Sequence, residues 1–146
     1  MFKNRLPLLH KLIDGYERCL KPICKKLKLP QTALTILLFL ENHPECYTAK
    51  DISRSLSMKP SIVSFHVDKL VLAGYLQRMP IPEDRRQVRL LCTQKAAEII
   101  ARGQELQQEF FLSLTEGLSR EDLSQLQRCL DVLASNAASF EINTGL

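Results

Sequence analysis

Apolar residues recur every three or four positions from Leu6 to Leu27, with lysines filling the opposite side, so the opening of the chain predicts an amphipathic helix kinked near Pro22. Pro30 then opens a segment, Gln31 to Leu40, that is apolar on nearly every side and closes at Asn42-His43-Pro44. A helix of that kind belongs at the centre of a fold. Thr48, with Asp51 three residues on, suits the N-cap of a short helix whose Ala49, Ile52 and Leu56 face inward. Ser57-Met58-Lys59 breaks it, and Pro60 starts a further helix that runs to Ala73 and stops at Gly74. Two helices joined by so short a break predict a helix-turn-helix.

The period then changes. Tyr75 to Met79 and Arg86 to Cys92 are strand-like, and the prolines and charges of Pro80 to Arg85 predict an exposed loop between them. Thr93 is placed to cap a long amphipathic helix through Ala96, Ile99, Ile100, Leu106 and Phe110, broken near Gly117. Ser119 caps a last helix, whose stripe runs through Leu123, Leu126, Leu130 and Leu133, with Leu118 and Leu123 as a hydrophobic staple. The fold class expected is mainly α with a small β-wing. A winged helix-turn-helix lobe covers residues 30–95, and a helical dimerisation region is built from both termini, residues 1–29 and 96–146. The stripes of the first helix and the last two exceed what one small winged lobe could cover, so a second copy is needed.

Charge sharpens this picture. The chain of 146 residues carries a net +4, but residues 1–43 hold eight Lys/Arg against three Asp/Glu, and residues 44–95 hold nine against five. Residues 96–146 reverse the balance, with three basic against eight acidic side chains. The first two thirds suit a polyanion and the last third does not.

Projected at about 100° per residue, the helix from Pro60 places Val63, Val67 and Leu70 with Gly74 on one face. Ser61, Ser64, Phe65, Asp68, Lys69 and Leu72 take the other. Hydroxyls can bond base edges in a major groove and an apolar ring can meet a thymine methyl, so Phe65 is the residue expected to read sequence. The alternative is that Phe65 packs against another part of the chain. Arg54 and Lys59 are spaced to reach phosphates, which add affinity without reading sequence. Asp68 is expected to pair with a neighbouring cation. In the hairpin, Arg85 and Arg86 sit at the turn, and Arg86 is better placed for a minor groove if Asp84 holds its guanidinium in a bidentate bond. Arg89, on the following strand, serves a phosphate or is solvated.

Other chemistry is weakly represented. The five cysteines are odd in number and scattered, with no CxxC pair, which argues against a disulfide framework or a zinc ribbon. Cys19 and Cys24 are the redox candidates, because Lys21, Lys25 and Lys26 could lower a thiol pKa. Cys46 lies three residues after His43, and two ligands do not make a metal site. A Gly-rich phosphate loop, an HExxH motif and a nucleophile paired with His10, His43 or His66 are all missing, so neither an enzyme nor a cofactor is expected. With no apolar run of about 20 residues and no secretory pattern at Met1 to Pro7, a cytoplasmic protein is expected.

Residues Thr48 to Ala96 resemble the winged helix of the MarR family of bacterial transcription factors. The likeness runs through Ser61-Ile62-Val63-Ser64, Asp68-Lys69-Leu70, Gly74-Tyr75-Leu76, and above all Asp84-Arg85-Arg86-Gln87-Val88-Arg89-Leu90 followed by Thr93-Gln94-Lys95. It implies a homodimer with interlocked terminal helices, presenting two winged lobes to one pseudo-palindromic double-stranded DNA operator. By position it puts Ser61, Ser64 and Phe65 on the major-groove readers, Arg86 on the minor-groove arginine and Asp84 on its orienting carboxylate. Phe65 stands where many members carry an arginine, which puts the usual operator preference in doubt, and Ala96 replaces a common glycine. The expected function is a repressor whose affinity a small-molecule effector modulates. A thiol-based redox regulator of the same fold and a winged-helix protein-interaction module are the alternatives, and Arg85, Arg86 and Arg89 speak against the second.

Overall fold

The computed structural model describes residues 5–140. Six helices and one hairpin follow in the order α1 (Leu6–Leu27), α2 (Gln31–Asn42), α3 (Ala49–Ser55), α4 (Pro60–Leu72), β1 (Leu76–Ile81), β2 (Asp84–Cys92), α5 (Gln94–Leu114) and α6 (Arg120–Ala138). Residues 1–4 and 141–146 of the expected helical region, and most of the Met1 to Pro7 stretch, lie outside the described residues.

The chain divides into two compact units, residues 1–110 and 111–146. The first is built around α2. Its Ala33, Leu34 and Ile36 to Leu40 are buried, as an apolar-all-round helix requires, and α1, α3, α4 and the start of α5 supply the surrounding core. The helix α1 runs through Pro22 without interruption, but only its later half is covered. Leu20 and Ile23 are buried, whereas Leu8, Leu9 and Ile13 are exposed. Gly103 of α5 lies so close to Leu38 that a Cβ there would sit 2.8 Å from the Leu38 Cδ2, which is why the position carries no side chain.

Capping chemistry works where its side-chain spacing allows. Thr48 and Asp51 form a reciprocal box at α3, the Asp51 N–H donating to the Thr48 hydroxyl oxygen at 3.1 Å and the Thr48 N–H to the Asp51 carboxylate at 2.9 Å. Ala49, expected to face inward, is exposed at the first turn of α3, and Ile52 and Leu56 carry the contact with the core. Thr93 does not cap α5 with its side chain. Its hydroxyl donates to the Gly74 carbonyl oxygen at 2.6 Å, and Lys95 Nζ donates to the Ala73 carbonyl oxygen at 2.6 Å. The first turn of α5 is thus bolted to the end of α4, where Gly74 adopts a φ of 80° that disfavours a side chain.

The hairpin is longer than its prolines suggest. β1 continues through Pro80 and Ile81, and β2 begins at Asp84, which leaves Pro82 and Glu83 as the turn. Proline is tolerated because both strands of a two-stranded ribbon are edges, and the register slips between Pro80 and Ile81. The far edge of β2 is met in one place, where the Leu90 N–H donates to the Tyr47 carbonyl oxygen at 2.8 Å.

The second unit holds the end of α5, a turn at Gly117 (φ 84°) and α6. Ser119 and Asp122 repeat the capping box. α6 buries no residue, and Leu126, Leu130, Val132 and Leu133 are all exposed.

Candidate nucleic-acid interface

α4 follows a four-residue break after α3 in which Ser57 takes a left-handed φ of 51° and the Ser53 hydroxyl, donating to the Met58 carbonyl oxygen at 2.6 Å, holds the turn. Val63, Val67 and Leu70 are buried, so the helix can present only its other side. Ser61, Ser64, Phe65, Asp68, Lys69 and Leu72 are all exposed, as the 3.6-residue period requires. The Phe65 ring is 54% exposed, edge-on to His66 and with Lys69 Nζ 5.2 Å from its centroid. The alternative of Phe65 packed into the same chain is therefore not what the structure holds. Burial lowers the His66 pKa below its ordinary value, which keeps that ring neutral near pH 7.

Two side chains of the site find partners that lie far away in sequence or on the next element. Asp68 pairs with Arg78 of β1, as the expected pairing with a cation requires. The exposed Arg89 guanidinium lies over the Tyr47 ring, 4.8 Å from its centroid. Sequence reasoning missed both Arg78 and Tyr47. The alternation of strand residues could have flagged Arg78 as a cation near the root of the hairpin, but nothing local points from Tyr47 to Arg89.

The role expected of Asp84 needs correction. Its carboxylate does not hold the Arg86 guanidinium. One oxygen accepts from the Arg86 backbone N–H at 2.9 Å and the other from Gln87 Nε2 at 3.1 Å, so Asp84 fixes the turn itself. Among the described residues, Arg85 and Arg86 have no carboxylate partner, and neither do Arg54 and Lys59. All four side chains are exposed.

The premise for a reactive thiol also fails. Burial raises the pKa of Cys19, helped by Glu109, and burial raises that of Cys24. Both sulfurs face the core of the first unit, while Lys21, Lys25 and Lys26 project outward, and Cys19 Sγ donates to the Leu106 carbonyl oxygen at 3.2 Å. Cys92 is pushed up to about 11 by burial and by Glu41. No group of three metal-ligating side chains occurs among the described residues.

A short helix, a tight turn, an outward-facing second helix and an arginine-bearing hairpin on one lobe define a winged helix-turn-helix protein. Residues 29–88 match the MarR family model. The chain is 29% identical to the HTH-type transcriptional regulator PecS of Dickeya dadantii over 78% of this chain and 70% of that protein. It is 25% identical to the multiple antibiotic resistance protein MarR of Escherichia coli, over 89% of this chain and 92% of that one. Among solved structures, a MarR protein from Peptoclostridium difficile superposes with a TM-score of 0.80 at 20% identity, covering 94% of this chain and 90% of that one. A cysteine-to-serine variant of Escherichia coli MarR complexed with operator DNA gives 0.67 at 23% identity, covering 91% and 97%. The match to the MarR family model thus falls on the winged lobe, and the chain is similar over most of its length to the regulators PecS and MarR.

Proposed function

We propose that this chain is a transcriptional regulator that binds one pseudo-palindromic operator as a homodimer, represses from it, and releases it when a small molecule binds. The observation that carries the reading is the pairing, on one lobe, of an exposed Ser61-Ser64-Phe65 helix face with a hairpin whose Arg85 and Arg86 have no carboxylate partner among the described residues. Ser61, Ser64 and Phe65 read base edges in the major groove, and Lys69, set beside the Phe65 ring, and Arg54 and Lys59 meet phosphates. Arg86 enters the minor groove with Arg85 beside it, in a turn already shaped by Asp84, and Arg89 leaves the Tyr47 ring for the backbone or guards it. A related protein solved on operator DNA supports the polyanion as partner.

The homodimer is supported by what the chain leaves open, namely the apolar N-terminal half of α1 and the apolar stripe of α6. Two copies would set their α4 helices about 34 Å apart, one turn of DNA. Effector control is supported by a furrow of about 250 Å³ bordered by Glu41, Cys92, Gln94, Ile100 and Gln104, which opens beside the end of β2. A ligand there acts only through a preference for one arrangement of the strand over another. Among the described residues no helix is long and apolar enough to cross a membrane, and a protein that acts on an operator as proposed would work in the cytoplasm.

The test is selection of bound fragments from random DNA by the purified chain. A selected site with two-fold symmetry and half-sites about one turn apart is the expected result. Fragments with no common sequence would remove sequence-specific reading, and no retained DNA at low salt would remove DNA binding.

A further inference from the structure

Asp68 is the one acidic residue in the sequence of α4, and it stands on the exposed face next to Ser64 and Phe65, where a phosphate backbone would repel it. Arg78 of β1 reaches back across the corner between helix and strand, and its guanidinium binds the Asp68 carboxylate. Between the two residues the backbone turns tightly, with the Tyr75 N–H donating to the Leu70 carbonyl oxygen at 2.9 Å and Gly74 N–H to Val71 at 3.0 Å. The ion pair closes the outer side of that corner. Both side chains remain open to water, 66% for Asp68 and 42% for Arg78. A pair so exposed adds little to folding stability, so stability gives no reason for a carboxylate at this place.

The charges matter more when a polyanion approaches. The geometry points to Arg78 as a positioning residue for DNA recognition: it cancels the charge of Asp68 on the recognition helix and fixes the root of the Arg86 hairpin against α4. Cancellation removes a repulsion that would act on every duplex. Fixing the root means that major-groove and minor-groove contacts engage together, with less ordering left to complete on binding. This inference rests on the reading of α4 and the hairpin as the DNA-contacting surface, and it assigns a role to a residue that the reading itself leaves out.

A double-mutant cycle tests it. Affinity is titrated for the duplex selected from random DNA and for a scrambled duplex of equal length, with melting curves for each variant. Arg78→Gln should weaken the selected duplex about tenfold, Asp68→Asn should leave it within about threefold, and the double variant should return to within about threefold of wild type. Arg78→Lys, which keeps the charge, should retain most of the affinity. Melting midpoints should stay within a few degrees throughout, separating positioning from folding. A double variant as weak as Arg78→Gln overturns the proposal, because Arg78 would then act on phosphate directly. A wild-type chain that ignores both duplexes overturns the DNA-binding reading and this proposal with it, whereas an uncoupled cycle on normal wild-type binding overturns this proposal alone.

Discussion

The helices α2 and α6 both carry strong apolar residues, yet α2 buries seven of its 12 residues and α6 buries none of its 19. The difference teaches what periodicity can and cannot say. A stripe at helical spacing predicts a helix and the face that wants cover, but it does not say who supplies the cover. The winged lobe covers α2 with its own chain. The stripe of α6 stays open, as the proposed pairing with a second copy requires.

The comparison breaks most visibly in the core. Leu37→Ala should lower unfolding free energy by about 2–5 kcal/mol in urea denaturation, because Leu37 is fully buried. Leu130→Ala, 50% exposed, should barely move the lobe's own stability and should instead weaken self-association, read by sedimentation at varied concentration. Equal losses of stability from the two would contradict the division.

Next comes the lobe's outer face. Arg86→Ala should weaken operator binding by about 1–3 kcal/mol. Lys59→Ala should weaken all sequences alike and reduce the salt slope by about 1. Phe65→Ala should lose affinity for the selected duplex and keep its affinity for a scrambled one, and equal losses on both would show that the ring reads no base.

A smaller effect separates the two capping boxes from each other. Thr48→Ala should cost roughly 1 kcal/mol, since α3 is a single short helix that rests on its cap.

The smallest effect is one of pH. Bonds from the Ser119 hydroxyl and backbone N–H hold the Asp122 carboxyl below the usual carboxylate range. A carboxyl depressed in the folded state stabilises it fully above its unfolded pKa, and that contribution is lost as pH falls through the folded value. Amide exchange in the first turn of α6 should therefore quicken below about pH 4, and Ser119→Ala should remove most of that pH dependence.

Much of this architecture was legible because it is local. The buried face of α4, the caps at Thr48 and Ser119 and the break at Ser57 follow from spacing within a few residues. What escaped depends on contacts between distant positions. Strand pairing between Pro80 and Val88 carried β1 past Pro80, and no rule on single residues contains that register. The expectation for Asp84 failed because a backbone N–H two residues away is nearer to hand than a mobile guanidinium. The lysines beside Cys19 and Cys24 in sequence point outward while the sulfurs point in, so burial, joined by Glu109 at Cys19, raised the thiol pKa and the lysines did not lower it. Arg78 and Tyr47 entered the site only when the hairpin folded back on α4 and on the segment before α3.

The central claim is that two winged lobes, held as a symmetric pair, read one DNA site together. Analytical ultracentrifugation of the purified chain with a single selected duplex measures this directly. The account predicts a self-associated chain at micromolar concentration and a complex of two chains per duplex; single chains throughout, or no complex at low ionic strength, would contradict it.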